Sequence, residues 1–573
     1  MSLRITVGRE RYSIEPLEGE PLAAAASRAG LTLNSRCGGN GICHGCTVYL
    51  ESGRFAVEER TVEAGDSEEA TVLACRTRLL DGAGAIRFPH SSVVETRAQI
   101  DDLFDAAVIE RVARARTFAH GNGEDRSEPV YGVAVDIGTT TVVAVLVDLH
   151  AREVVQKASM YNQQIGRADD VASRISYATN PAKLSELQRL LVERTVSPLI
   201  AALCARAGIS GEQVRAVVAS GNTVMTHLFY GLSPEGIGSI PFEPVTNIYP
   251  SLPAGEMNLP IRSDAPVDAV PSVAGYIGGD LTAGMFVTHL DRRSETTLLV
   301  DIGTNGEMIL WHDGRLTACA TAAGPAFEGA GVSCGCRAAD GAIERVRFDE
   351  RLNLDYSIIG EARAPKGICG SGIVDFIAEG LRAGIINDRG RYDLATLRAI
   401  GRYHAAGDPD RPSHAFLLAS AEESVTGEPV YVSELDISQL LKAKAATFSG
   451  MRTLLEHVGL RFDALSTICL AGGFARHLNL DNAVEIGLMP EVPLDRFEIV
   501  GNGSLAGAVL GLLDADAMPA YRALIEKPKV IELNLEPAFE SNFIDSLALP
   551  NMVESLFPEC IRRRTAARQE VSR

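Results

Sequence analysis

Two sets of residues in this 573-residue chain have the types and spacing to do chemistry. The first is four cysteines, Cys37, Cys43, Cys46 and Cys75, spaced C-x5-C-x2-C, then 28 residues, then the last thiol. Three thiolates on one tight loop with a fourth arriving alone differ from the paired C-x2-C hooks of tetrahedral zinc and suit one 2Fe-2S cluster. Structural zinc is the alternative. Gly38, Gly39, Gly41 and Gly45 give that loop access to φ > 0 and bring backbone N–H groups near the sulfurs, where they stabilise negative charge and tune potential. The second set is a V-D-I-G-T pattern that occurs twice, at 135–139 and at 300–304. A phosphate needs N–H donors at close range, and a divalent ion needs oxygen ligands. Each turn offers both. Gly138 and Gly303 let the backbone approach, Thr139, Thr140 and Thr141 or Thr304 and Asn305 add side-chain donors, and Asp136 and Asp301 can hold Mg2+ or its waters. Gly306 completes the second turn, and the double glycine Gly472 and Gly473 offers bare backbone against which a flat purine can lie.

The elements that must position these residues alternate. Leu3 to Val7 and Tyr12 to Ile14 suggest an opening hairpin, and residues 21–30 run from a helix-starting Pro21 to a terminating Gly30. A strand over Thr47 to Leu50 follows the cysteine loop. Residues 91–129 differ in character, with one or two short helical turns over 99–112 and a linker composition over 120–129, so a domain boundary falls near Pro129. From Val130 onward the pattern is strand, Gly turn, helix, repeated in two halves, which gives an α/β class. Helical segments are expected over 169–200 apart from Asn180-Pro181, over 272–285, after Gly370 and after Gly501, the 272–285 and 501–508 segments being rich enough in Gly and Ala for close approach to another helix.

The hairpin, helix, cysteine loop and late cysteine resemble a β-grasp ferredoxin over residues 1–92, with the x5 spacing of adrenodoxin-like members. The twin turns, the adenosine-type motif at 470–475 and the small-residue helices around Gly284 and Gly507 resemble, in that order, the acetate and sugar kinase, heat-shock chaperone and actin superfamily. The implied fold is an α/β multidomain chain: the ferredoxin domain at 1–92, a linker at 93–129, and two ribonuclease-H-like halves at 130–294 and 295–573 that close over ATP. The whole chain resembles the reductive activators of corrinoid proteins. That resemblance implies a 2Fe-2S donor cluster on Cys37, Cys43, Cys46 and Cys75, ATP with Mg2+, a corrinoid partner of a methyltransferase system carrying Co(II) to Co(I), an upstream electron donor and a homodimer. Asp136 and Asp301 are then holders of metal and phosphate in a conformational ATPase. Two alternatives are an electron-donating activator of another low-potential metalloenzyme, and a small-metabolite kinase with a ferredoxin regulatory domain.

Charge excludes other classes. With 54 basic and 74 acidic residues the net charge is -20, which repels a nucleic-acid backbone. No apolar run reaches the ~18 residues of a membrane helix, and the first residues carry Arg and Glu instead of a signal-peptide core, so the expected location is the cytoplasm. Cys334 and Cys336 read as buried or incidental thiols, as do Cys204, Cys369 and Cys469. His227 reads as a helix-packing residue, Asp280 as either a helix cap or a reach toward the metal, and Glu328 as facing the γ-phosphate or the partner.

Overall fold

The computed structural model describes residues 2–8, 10–33, 41, 46–58, 60–65, 70–89, 92–94, 107–110, 112, 114–116, 129–168, 170–329, 331–407 and 412–571. Cys37, Cys43 and most of the expected linker lie outside them. The N-terminal sheet runs in the order Glu10–Ile14, Ser2–Val7, Thr77–Phe88, Thr47–Val57, Arg60–Ala64, with Ala70–Leu73 paired to Thr47–Val57. Ser2–Val7 lies parallel to Thr77–Phe88, so first and last strands meet at the centre of the sheet. The helix Leu22–Arg28 buries Leu22, Ala25 and Ala26 against Leu3, Ile5, Phe55 and Phe88. This is the β-grasp arrangement expected of the cysteine domain.

The rest of the chain is built twice. One sheet is ordered Glu153–Tyr161, Thr141–Asp148, Tyr131–Ile137, Val214–Ser220, Pro266–Ala269, Leu252–Pro253. The other is ordered Pro528–Val530, Arg315–Thr321, Gly306–His312, Thr297–Ile302, Thr467–Ala471, Phe497–Gly501. In each, three consecutive antiparallel strands are joined on one side by a parallel strand from much further along the chain. The central strands read V-A-V-D-I and L-L-V-D-I, nearly continuous apolar runs, because both faces of each sheet are covered.

What covers them crosses over. The helix Gly503–Leu513, from the second half, packs Leu505, Val509 and Leu512 onto Ala134, Val145 and Val218 of the first sheet. The helix Gly279–Val287, from the first half, packs Leu281 and Met285 onto Leu299, Ile309 and Ala318 of the second. The two helices cross where a Cβ on Gly507 would come 2.3 Å from the Cβ of Ala283, so only glycine fits. Each half therefore rests on a helix lent by the other.

Local differences from the sequence expectation are few. Residues 272–278 are not helical: Ala274 and Ile277 close a tight turn by a hydrogen-bonded bridge, and the helix begins only at Gly279. A side chain at Gly278 would meet the Asn222 α-carbon at 2.4 Å, so the chain enters the helix pressed against a neighbouring turn. The 169–200 segment is helical on both sides of Asn180 and Pro181 as expected: Val171–Ala178, then Pro181–Leu191 continuing through the wider turn Val192–Val196 into Ser197–Ala207, with Asn180 capping the second helix and Pro181 at its first position. The single tryptophan, Trp311, donates Nε1–H to the Arg293 carbonyl at 2.7 Å, where the chain passes from one half to the other. Among the described residues no helix is long and apolar enough to cross a membrane.

Candidate functional site

The two V-D-I-G-T turns face one cleft. In the first, a Cβ on Gly138 would meet the Thr141 carbonyl oxygen at 2.2 Å, so the turn closes only around glycine. Three side chains brace it. Asn162 Nδ2 donates to the Gly138 carbonyl at 3.1 Å, Asn222 Nδ2 to the Thr139 hydroxyl at 3.0 Å, and Arg174 Nη2 to the Thr139 carbonyl at 2.6 Å. Arg174 is fully buried and also donates to the Ala168 carbonyl. The backbone N–H of Asn162 reaches the Thr140 carbonyl, and Thr141 pairs with Tyr161 at the strand edge. Asp136 is held across the halves: Asn502 Nδ2 donates to one carboxylate oxygen at 2.9 Å and Ser504 Oγ to the other at 2.8 Å.

The second turn is supported differently. The Gly303 N–H closes onto the Asn305 carbonyl, Thr304 Oγ1 donates to Glu328 at 2.6 Å, and Gly306 heads its strand with its α-carbon against Thr321. Asp301 accepts no hydrogen bond among the described residues; burial, then the charge of Asp136, pushes its carboxyl up to about 7. Burial and the Asp301 charge likewise raise Asp280, and burial with the charges of Asp280 and Asp301 raises Glu307 well above the ordinary carboxylate range. Asp280 does not cap its helix, since Gly278 holds the N-cap position; it sits in the first turn, accepts the Leu281 N–H at 2.8 Å, and feels the charges of Asp301 and Asp136. Gly472, at φ +90°, brings the double glycine to the same place, for a side chain there would lie 2.8 Å from an Asp301 carboxylate oxygen. Gly473 opens the short helix Gly473–His477, and Phe474 beside it stacks on Phe327 at 5.0 Å. No three His, Cys, Asp or Glu side chains among the described residues form a ready-made metal cage.

Of the four cluster cysteines, the structure describes two, and they meet. Cys46 is buried, Cys75 half-buried, and the Ala74 N–H donates to the Cys46 carbonyl at 2.9 Å. The hydrogen bond with Cys75 holds the Cys46 thiol below its ordinary range, the condition a thiolate ligand requires. Gly41, at φ +77°, lies so close to Arg76 that an added Cβ would stand 2.7 Å from Arg76 Nε, beside Cys75 in sequence. The paired thiols of Cys46 and Cys75 suit iron–sulfur ligation.

Comparison with known proteins gives this arrangement a context. Residues 5–80 match the 2Fe-2S iron–sulfur cluster binding domain, residues 131–293 the RACo middle region, and residues 295–561 the C-terminal domain of RACo, the ASKHA domain. The corrinoid activation enzyme RamQ of Eubacterium limosum is 31% identical over 573 aligned residues, covering 90% of this chain and 94% of that protein. The chain belongs to the family of reductive activators of corrinoid proteins. A solved member, the reductive activator for corrinoid, iron–sulfur protein, is 31% identical, covers 97% of this chain and 99% of its own, and superposes with a TM-score of 0.71. The [Co(II) methylated amine-specific corrinoid protein] reductase of Methanosarcina barkeri is 23% identical over 406 residues, or 66% of this chain and 69% of that one.

Several residues of this activator's cleft escape a sequence reading. Arg174, Asn162, Asn502 and Ser504 carry no motif of their own, and Asn502 lies 366 residues from the carboxylate it holds. One signal was available: Asn222 and Asn502 each follow a strand and a glycine, and both cap the next helix through their side-chain oxygens. The remaining cysteines behave as expected, since Cys204, Cys369 and Cys469 are buried and burial raises the Cys334 thiol to about 12. His227 is a fully buried helix residue, with Nδ1 against the Thr223 carbonyl.

Proposed function

We propose that this chain is an ATP-dependent reductive activator that returns a corrinoid protein's cobalt from Co(II) to Co(I), the state that accepts methyl groups. The observation that carries the proposal is the union, on one chain of this family, of a thiolate-bearing β-grasp domain with a two-sided acidic cleft built for nucleotide. Residues 1–92 form the electron-carrying domain, 93–129 the linker, and 130–294 and 295–573 the two ATPase halves. Cys37, Cys43, Cys46 and Cys75 hold the 2Fe-2S cluster. When bound, that cluster would supply one electron at a time, as plant-type clusters do near about -400 mV.

The protein's own groups do the remainder. Gly138 with Thr139 to Thr141, and Gly303 with Thr304 and Asn305, cradle the phosphates from opposite halves. Asp136 and Asp301, with Asp280 beside them, hold Mg2+ or its waters, while Gly472 and Gly473 face the adenine. Because the electron must move uphill to Co(II), the work of nucleotide binding has to appear as a changed fit between the activator and the corrinoid protein. Closure of the halves about the crossed helices at Gly507 and Ala283 is the movement available for it. An upstream reductant reloads the cluster, the activator works in the cytoplasm, and it works as a homodimer. The test is reciprocal. Reduced Cys43→Ser protein should bind ATP like the wild type yet form no Co(I), whereas Asp301→Ala should keep its cluster spectrum and lose the ATP-dependent part of Co(I) formation. Equal loss of both properties in either variant would sink the modular assignment, and Co(I) formation equally fast without ATP would sink the coupling.

A further inference from the structure

One cation bridges the cleft. Arg337, from the second half, lays its guanidinium over the ring of Tyr161, from the first, with Cζ 4.3 Å from the ring centroid. Its Nη1 is buried and makes no hydrogen bond among the described residues. Stacking occupies the face of a guanidinium and leaves its N–H edge available, and a buried donor without an acceptor is disfavoured until something supplies one.

The neighbours of Arg337 say what that acceptor is. Tyr161 ends the strand paired with Thr141, and the next residue, Asn162, is bonded to the Gly138 and Thr140 carbonyls of the first phosphate turn. On its own side Arg337 follows Cys336, whose carbonyl is pressed against Gly329: a Cβ on that glycine would lie 2.2 Å from it. Glu328, just before, accepts the Thr304 hydroxyl of the second phosphate turn. The guanidinium thus stands between segments fixed to both turns. The double glycine that would face adenine belongs to the second half, and Arg337 of that half meets Tyr161 of the first, so the guanidinium lies where the two halves approach each other.

Resting on the reading of this cleft as an ATP site, we propose that Arg337 binds the terminal phosphate of ATP through its Nη1 edge while its face stays on Tyr161. The side chain that spans the halves then senses whether the nucleotide carries a third phosphate. It is a ligand-binding cation and a closure sensor at once.

Calorimetric titration of the full-length, cluster-loaded protein with a non-hydrolysable ATP analogue and with ADP, both with Mg2+, tests this. Arg337→Ala should weaken the triphosphate by about tenfold or more and change ADP by less than about twofold. Arg337→Lys, which keeps the charge without the planar stack, should fall between wild type and Arg337→Ala, and Tyr161→Leu should cost triphosphate affinity selectively as well. Cluster absorbance and melting temperature identify any misfolded variant; if Arg337→Ala is one, the near-isosteric Arg337→Gln takes its place. Equal weakening of both nucleotides, or no weakening of either, overturns the assignment. If the wild type binds neither nucleotide, the ATP reading itself falls; if wild type and variants bind both alike, only the role of Arg337 does.

Discussion

The two phosphate turns share a sequence and differ in how they are held. The Asp136 carboxylate accepts hydrogen bonds from Asn502 and Ser504, and its turn is braced by Asn162, Asn222 and Arg174. Asp301 has burial around it and no hydrogen bond from the described residues, and its carboxyl is pushed up to about 7. A buried carboxylate satisfied by the protein is a finished part of the fold, and one left to burial is a part that a ligand finishes. The first turn is held by hydrogen bonds from the protein, and the carboxylate of the second is held, among the described residues, by burial alone.

Substitutions should separate the two. The largest effect is expected from Asp301→Ala, with roughly a hundredfold loss of ATP-dependent Co(I) formation, in line with removing a group that stabilises charge in the reaction. Its melting temperature should hold or rise, because a strained buried acid is gone. Asp136→Ala should match that loss and also cost about 1–3 kcal/mol of stability, since the donors Asn502 and Ser504 lose a buried acceptor. Urea unfolding of both proteins decides the matter, and equal stabilities would erase the distinction drawn here. Asn222→Ala should be milder, raising half-saturation by ATP about two- to tenfold through loss of one hydrogen bond to Thr139. The corresponding change at Thr304 should do as much only if the second turn is braced as firmly as the first.

The smallest effect concerns pH. His227 lies on the helix that Asn222 caps, and burial holds its imidazole below the ordinary value. The unfolded chain therefore takes up a proton below about pH 6.5 that the folded chain refuses, so this contribution is complete above that pH and is lost as the pH falls. The slope is at most about 1.4 kcal/mol per pH unit. Stability measured at pH 7 and pH 5 should fall less in His227→Gln than in the wild type.

What the chain reveals before folding is whatever depends on neighbours in sequence. The cysteine spacing, the repeated V-D-I-G-T turns and the Gly472 and Gly473 pair are local, and they were enough for the domain types and for naming residues that the fold brings together around Asp301. The supports are not local. Arg174 reaches Thr139 through a buried carbonyl contact, Asn502 and Ser504 reach Asp136 from the start of a helix in the other half, and Arg337 reaches Tyr161 across the cleft; no periodicity or motif encodes such meetings. The 272–278 segment failed as a helix for a related reason. Its small residues suit a helix by composition, yet tight packing against Asn222 holds it in a turn until Gly279.

The placement of the only tryptophan gives the molecule an optical signal of its own. Trp311 is tied through its indole N–H to the Arg293 carbonyl, at the seam over which the two halves would swing. An indole whose hydrogen bond and surroundings change with that swing emits at a changed wavelength and intensity. Closure on nucleotide should therefore be visible as a fluorescence transient in unlabelled protein, on the millisecond scale typical of domain movements. The same mixing experiment, followed at the cobalt absorption bands, would place that movement before or after the arrival of the electron.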